Sequence, residues 1–467
     1  MKKLFSWSPI KFVLGLSSVL LLISGIVWSQ GQNFPASVIV NGAGTNPLGA
    51  SLNVKAFPYS AVGDGKFFVD GVTNGSNNQL TSATATFSAS DVAHVLTCYR
   101  NPQNPSVAVW AAGQASVASF VNATTITYSG TNAGVQSGMY CTITNPADTL
   151  AGAGIAQAFA DAKSTFNGAN ASISYQAPPG KIYIPKGMYG IAATLNNLLV
   201  TGNEGCVGII GDGMGSTILI PTFTFSNANV GSGGWLIHDR CANAYLKDFA
   251  VEIASNPVAF ATTGGAIAIQ GATSYLENVA VYDGCNSTGG TEFGITIPGG
   301  SDIRLDHPRV VSNGSCGATF GGLQWTGTEG DIYFPFLSNT PQNFQAVNCP
   351  AGNNGAGARV WGGVIDEGSI SLFTNCVDFW SIGTTWTGGA NCVSVDATSI
   401  VWFFGGYCDT FATNAGSGPT VASGGQAYFT GIHVRSAALT PVPATEQSDS
   451  HRGQRQETRP ARLETSR

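Results

Sequence analysis

The chain has 467 residues, of which 43% are hydrophobic and only 10% charged, and its formal net charge at pH 7 is −6. So few cations exclude a phosphate-tracking nucleic-acid surface, and so small a net charge sets up no steering field. The 61 glycines suit a chain that turns every few residues, because glycine enters left-handed backbone without a Cβ clash.

The N-terminus carries Lys2, Lys3 and Lys11, then an apolar run over 12–27 and the small Ser29. This pattern predicts a signal peptide over residues 1–29, cleaved after Ser29, with an uncleaved anchor as the alternative. The body is therefore expected to be secreted, extracellular or periplasmic, with no membrane partner after cleavage. Ten cysteines follow the signal, in a compartment that permits disulfides. They lack the paired spacing of a zinc site, so no metal is expected. Cys98 and Cys141 form the most natural local pair. The other eight recur through the body, as bridges between turns or as small stacked apolar side chains.

Residues 30–65 read as a polar lead-in followed by a first strand near Leu52–Phe57. Residues 66–147 hold short strand runs at Leu80–Phe87, Ala118–Val121 and Thr124–Tyr128, which predict a small inserted β subdomain. Asp148 is placed to cap an amphipathic helix over 149–163, with Ile155 and Phe159 on one face. The body runs over 148–436. There Gly234–Val251 and Gly265–Val281 read as near copies, and Leu246, Leu276, Leu305 and Phe334 mark a beat of about thirty residues, resumed at Leu372, Trp402 and Phe429. A fixed period built from very short alternating runs is the pattern of a solenoid, with several strands per coil. In one coil Ile295–Ile297, Ile303–Leu305 and Val310–Val311 are the expected strands. From Ala437 the chain turns to Pro, Glu, Gln, Ser and Arg, so 437–467 is expected to be disordered.

Four segments in this order, "NVKAF…AVGDG", "DTLAGAGIAQAFADA", "KIYIPKGMYGI" and "GIIGDGMGSTIL", resemble the start of the pectate-lyase-like superfamily of right-handed parallel β-helix proteins. That group includes secreted polysaccharide lyases, glycoside hydrolases and phage tailspike depolymerases. The resemblance covers roughly residues 52–435. It implies an all-β fold: a right-handed single-stranded parallel β-helix with an N-terminal capping helix. The 66–147 insertion departs from the family pattern. It also implies a polysaccharide partner, engaged along the first strand of each coil between flanking long turns.

His238, Asp239 and Arg240 fall on that strand in one coil, Glu292 and Asp302 two coils on, and Glu329 and Asp331 in the next. Asp283 ends a third strand beside a long turn. A hydrolase needs two carboxylates, one protonated and one ionised. A lyase needs a cation against the uronate carboxylate and a base for the α-proton, roles open to Arg240 and His238. Trp325 and Trp386 are candidates for sugar-stacking faces, with a core position as the alternative. Asp248, Asn278 and His307 share one repeat position and read as a structural turn column. The GDGMGST run lacks the lysine of a phosphate loop and precedes no helix, which excludes nucleotide binding. The expected activity is cleavage of an extracellular glycan, uronate polymers among the candidates, by β-elimination or hydrolysis; the alternative is a non-catalytic β-helix that binds glycans or proteins. No cofactor is expected, calcium is neither indicated nor excluded, and no motif fixes an oligomeric state.

Overall fold

The computed structural model describes residues 51–99, 115–148, 154–166, 180–191, 207–221, 235–239, 245–253, 265–282, 292–311, 320–349, 357–410 and 419–435, apart from positions 57, 328, 339, 341, 369, 389 and 390. The expected signal peptide over 1–29 and the expected disordered tail over 437–467 lie outside these residues. Successive side chains on a strand point to opposite faces, and here that alternation builds a ladder coil upon coil. Leu246, Leu276 and Leu305 pair in register, and the ladder continues through Ile332, Val360, Ser381, Phe403 and Phe429. The members from Leu246 to Phe403 are buried at 1% exposure or less. All pairing in the stack is parallel, in one 19-stranded and one 8-stranded sheet. The protein is a parallel β-helix.

Part of the expected beat is displaced. Ile332 takes the inward position and Phe334 stands two residues later, at a corner. Leu372 belongs to the 8-stranded sheet, opposite Ser394. Trp402 flanks the inward Phe403 instead of occupying its place. Coil length is the cause: Leu246 meets a partner thirty residues on, whereas Val360 meets one after twenty-one. A constant period therefore slips off the ladder.

The long sheet bends at one corner in every coil. Asp248, Asn278, His307 and Phe334 hold φ of +49° to +58° there, and Gly362, Gly383, Gly405 and Gly431 continue the same position at +63° to +69°. Left-handed backbone costs a residue with a Cβ roughly 1–2 kcal/mol. The first four residues offset this with contacts between coils. Asn278 Nδ2 donates to Asp248 Oδ1 at 3.0 Å, and the His307 ring lies 5.2 Å from that of Phe334. The polar turn column read from the sequence is this corner. Asn348 and Asn375 form a second left-handed column, joined by an Asn375 Nδ2 to Asn348 Oδ1 hydrogen bond of 2.9 Å.

The insertion is a closed six-stranded antiparallel barrel, in the order Lys66–Asn74, Gln79–Thr81, Thr125–Tyr128, Ala115–Asn122, Val95–Tyr99, Val135–Thr144. It has its own core around Phe68, Leu80, Phe87, Leu96 and Ile143. The helix spans Gly154–Phe166, and Ile155, Ala158, Phe159 and Ala162 pack into the core of the stack beside Leu52 and Ile182. Asp148 does not cap it. Asp148 ends a 3-10 turn over Pro146–Asp148, and its buried Oδ1 accepts the backbone N–H groups of Val62 (2.7 Å) and Gly63 (3.0 Å). The cap failed because Gly154 starts the helix six residues later.

Three disulfides occur among the described residues. Cys98–Cys141 joins facing residues of the barrel, and Cys349–Cys376 and Cys392–Cys408 tie parts of the stack. Such bonds persist in oxidising, extracytoplasmic surroundings. Among the described residues no helix is long and apolar enough to cross a membrane.

Candidate functional site

Each inward residue of the ladder is flanked on its own strand by two outward ones, which makes two columns on one face. The first column runs Tyr245, Tyr275, Arg304, Asp331, Arg359, Trp380, Trp402, Tyr428. The second, in the same coils, runs Lys247, Glu277, Asp306, Tyr333, Trp361, Ile382, Phe404, Thr430. None of these side chains is buried. The aromatic and aliphatic members are half-buried, so each shows part of its side chain at the surface.

The N-terminal half of the face is a charged mosaic. Lys247 Nζ meets Glu277 Oε1 at 2.9 Å, and the Tyr245 hydroxyl donates to Glu277 Oε2 at 3.1 Å. Asp306 is held by Arg304 (3.1 Å), by His307 Nδ1 (2.7 Å) and by the Tyr275 hydroxyl (3.3 Å). Asp331 is held by Arg359 (2.7 Å) and by the Trp361 indole N–H (2.8 Å). The Arg304 guanidinium lies over two rings, 5.3 Å from Tyr275 and 4.7 Å from Tyr333. Burial pushes the Tyr275 hydroxyl up to about 12, helped by the Glu277 and Asp306 carboxylates, so it remains a hydrogen-bond donor. Burial pulls the Lys247 ammonium down, but the Glu277 hydrogen bond and the neighbouring Tyr245 and Asp248 more than reverse this. Lys247 therefore stays charged.

The C-terminal half is aromatic. Tyr333 and Trp361 are near-parallel at 6.1 Å, Trp402 and Tyr428 at 4.0 Å, and Trp402 and Phe404 at 6.5 Å; Trp380 lies 5.5 Å from Phe404. Stacking between coils fixes these rings before any ligand arrives, which lowers the ordering cost of binding.

The residues named from the sequence are dispersed. His238 and Asp239 end the strand Trp235–Asp239 of the 8-stranded sheet, and Glu292 begins the strand Glu292–Ile297. The side chains of these three, and all of Arg240 and Asp283, lie outside the described residues. Phe293, Ile295, Thr296 and Ile297 are all buried, so that strand is covered on both sides and offers no open groove. Asp302 is exposed on a left-handed turn, and Glu329 is half-buried at the equivalent place in the next coil, since Ile303 pairs with Gly330. Asp331 belongs to the outward face.

Trp325 and Trp386 are core residues and not platforms for a sugar. Both are completely buried, with their indole N–H groups donating to the Gly327 carbonyl and to Ser381 Oγ at 2.9 Å each. Asp366 accepts a hydrogen bond from the Thr387 hydroxyl. The sequence reading missed Tyr275, Tyr333, Trp361, Trp380, Trp402, Phe404 and Tyr428. Aligning the residues immediately before and after each inward position would have found them.

No family model and no curated protein matches this chain. Among solved structures, the A-module of Azotobacter vinelandii mannuronan C-5 epimerase AlgE6 is similar over 61% of this chain and 84% of its own, at 14% identity and TM-score 0.32. The catalytic domain of a GH87 α-1,3-glucanase in complex with nigerose is similar over 79% of this chain and 92% of its own, at 11% identity and TM-score 0.25. A Geobacillus virus E2 protein, ORF18, is similar over 60% and 56%, at 12% identity and TM-score 0.23. The first two are distant β-helix resemblances to carbohydrate-active proteins, and at such scores none of the three carries an argument about substrate or residues.

Proposed function

We propose that the protein is an exported β-helix that binds an extended polysaccharide along the outward face of its long sheet. The observation that supports this is the pair of unburied columns from Tyr245 to Thr430. A polymer suits such a face, because outward side chains recur once per coil, about 4.8 Å apart. Aromatic side chains present apolar area with few rotamers to freeze, and the polar groups beside them supply hydrogen bonds. Affinity electrophoresis through gels containing neutral and acidic polysaccharides tests the reading. Retarded migration with at least one polymer is expected, and unretarded migration through all of them refutes it.

Binding is favoured over cleavage because Glu277, Asp306 and Asp331 each hold a cation and a hydrogen-bond donor of this chain. A second reading, β-elimination, rests on His307. With Nδ1 against Asp306 and the ring half exposed, its Nε2 is oriented as a base, and Arg304 stands in the same coil. An unsaturated product detected by ultraviolet absorbance, abolished by His307→Ala with gel retardation intact, would establish that reading in place of simple binding.

A further inference from the structure

We infer that the polysaccharide bound by this face is neutral, and that its anchor is the aromatic half, Trp380, Trp402, Phe404 and Tyr428. The inference rests on the binding reading above and names its ligand class. Charge complementarity argues for it. The cations of the two columns between Tyr245 and Thr430 are Lys247, Arg304 and Arg359, and each is already ion-paired with a carboxylate of the same face, at 2.9, 3.1 and 2.7 Å. A polyuronate would bring a carboxylate with nearly every sugar to columns whose three cations are already paired, and would lose hydration without a partner there; Lys181, over the Tyr245 ring at 5.4 Å, stands at the end opposite the aromatic half.

Beyond Arg359 the columns hold Trp361, Trp380, Ile382, Trp402, Phe404, Tyr428 and Thr430, with no charged side chain among them. The nearby Asp378 carboxylate accepts the Trp380 indole N–H at 2.6 Å. Apolar, weakly polar surface of this kind complements the C–H faces and hydroxyls of an uncharged sugar. Its column residues include no cation to pair with a carboxylate. A neutral ligand also excludes β-elimination, which requires a carboxylate next to the proton removed.

The two classes differ in their response to salt. Isothermal titration with a soluble β-glucan and a glucomannan, beside polygalacturonate and alginate, is run at low and high sodium chloride. A neutral polymer is expected to bind with an affinity that salt leaves unchanged, while both uronates bind more weakly or not at all. Trp402→Ala and Phe404→Ala are each expected to weaken the neutral complex about tenfold, with the circular dichroism spectrum retained and a cooperative melt still above the titration temperature. Tight uronate binding that collapses with salt overturns the inference while leaving the binding face in place. Neutral binding untouched by both aromatic substitutions overturns the anchor. Failure of every polymer to bind refutes the binding reading itself. Should either variant unfold, Trp402→Phe and Phe404→Leu keep the hydrophobic contact in the stack and are read in the same titration.

Discussion

Asp148 is a buried acid whose contribution to stability depends on pH. Its side chain is completely buried, Oδ1 accepts two backbone N–H groups, and Oδ2 has no hydrogen-bond partner. Burial pushes its pKa up from 3.8 to about 6, against the lowering effect of the Gly63, Val62 and Gly190 amides and with help from the Asp64 charge. A folded-state pKa above the unfolded value means that the folded protein holds a proton the unfolded chain has released. Stability from this group is thus complete below about pH 3.8 and is lost as pH rises through about 6. Two units correspond to about 3 kcal/mol. Asp148→Asn keeps an acceptor for both amides and never ionises. Its buried NH₂ group, left unpaired, costs about 1–3 kcal/mol at every pH. The stability of Asp148→Asn minus that of the native protein is therefore expected to rise by up to about 3 kcal/mol between pH 4 and pH 8. Urea unfolding of both proteins, followed by tryptophan fluorescence across this range with disulfides intact, measures the difference. His94 and Asp64, 3.9 Å apart, are present in both proteins and cancel to first order. A difference that is flat with pH, or that falls as pH rises, would refute the argument.

Three further outcomes are expected. Gly383→Ala, where φ is +69° and the added Cβ meets open space, costs only the left-handed penalty of about 1–2 kcal/mol; Gly363→Ala, at +78° with the Pro335 carbonyl oxygen 2.4 Å from the new Cβ, costs distinctly more in chemical denaturation. Removing the Cys98–Cys141 bridge with a double serine variant reopens a 43-residue span and lowers barrel stability by about 4 kcal/mol on the chain-entropy estimate, measured as loss of protection in hydrogen exchange. Trp386→Ala leaves a cavity among Phe344, Phe373 and Phe403 and costs about 3–5 kcal/mol in a thermal melt. Glycan affinity should follow folded fraction in that variant, and a selective loss of affinity at full folding would return Trp386 to the binding surface.

The solenoid was legible because its inward residues are large, aliphatic and evenly spaced where coils are of similar length, from Leu246 to Leu305. Legibility failed past Phe334, where coils shorten and aromatic residues occupy inward, outward and corner places alike: Phe403, Trp402 and Phe334. Residue type alone cannot tell these apart, since only pairing register decides which way each points. Trp325 and Trp386 show the same limit, because a tryptophan near a turn has the composition of a platform and the burial of a core. The corner column was readable from Asp248, Asn278 and His307, since Asn and Asp tolerate left-handed backbone. The candidate face was not legible because the β-branched run Ile295–Ile297, one strand earlier in the coil, carries the stronger strand pattern, yet it is covered on both sides.

The corner that carries Asp248 through Gly431 has a further consequence for how such a molecule can vary. Its register is rigid from coil to coil, yet successive coils differ by as many as nine residues between the Leu246–Leu276 and Val360–Ser381 steps. The slack must therefore be taken up elsewhere on the perimeter. Segments away from that seam can be lengthened, trimmed or exchanged while the seam keeps the outward columns aligned, so loop length and composition are free to vary without redesigning the stack.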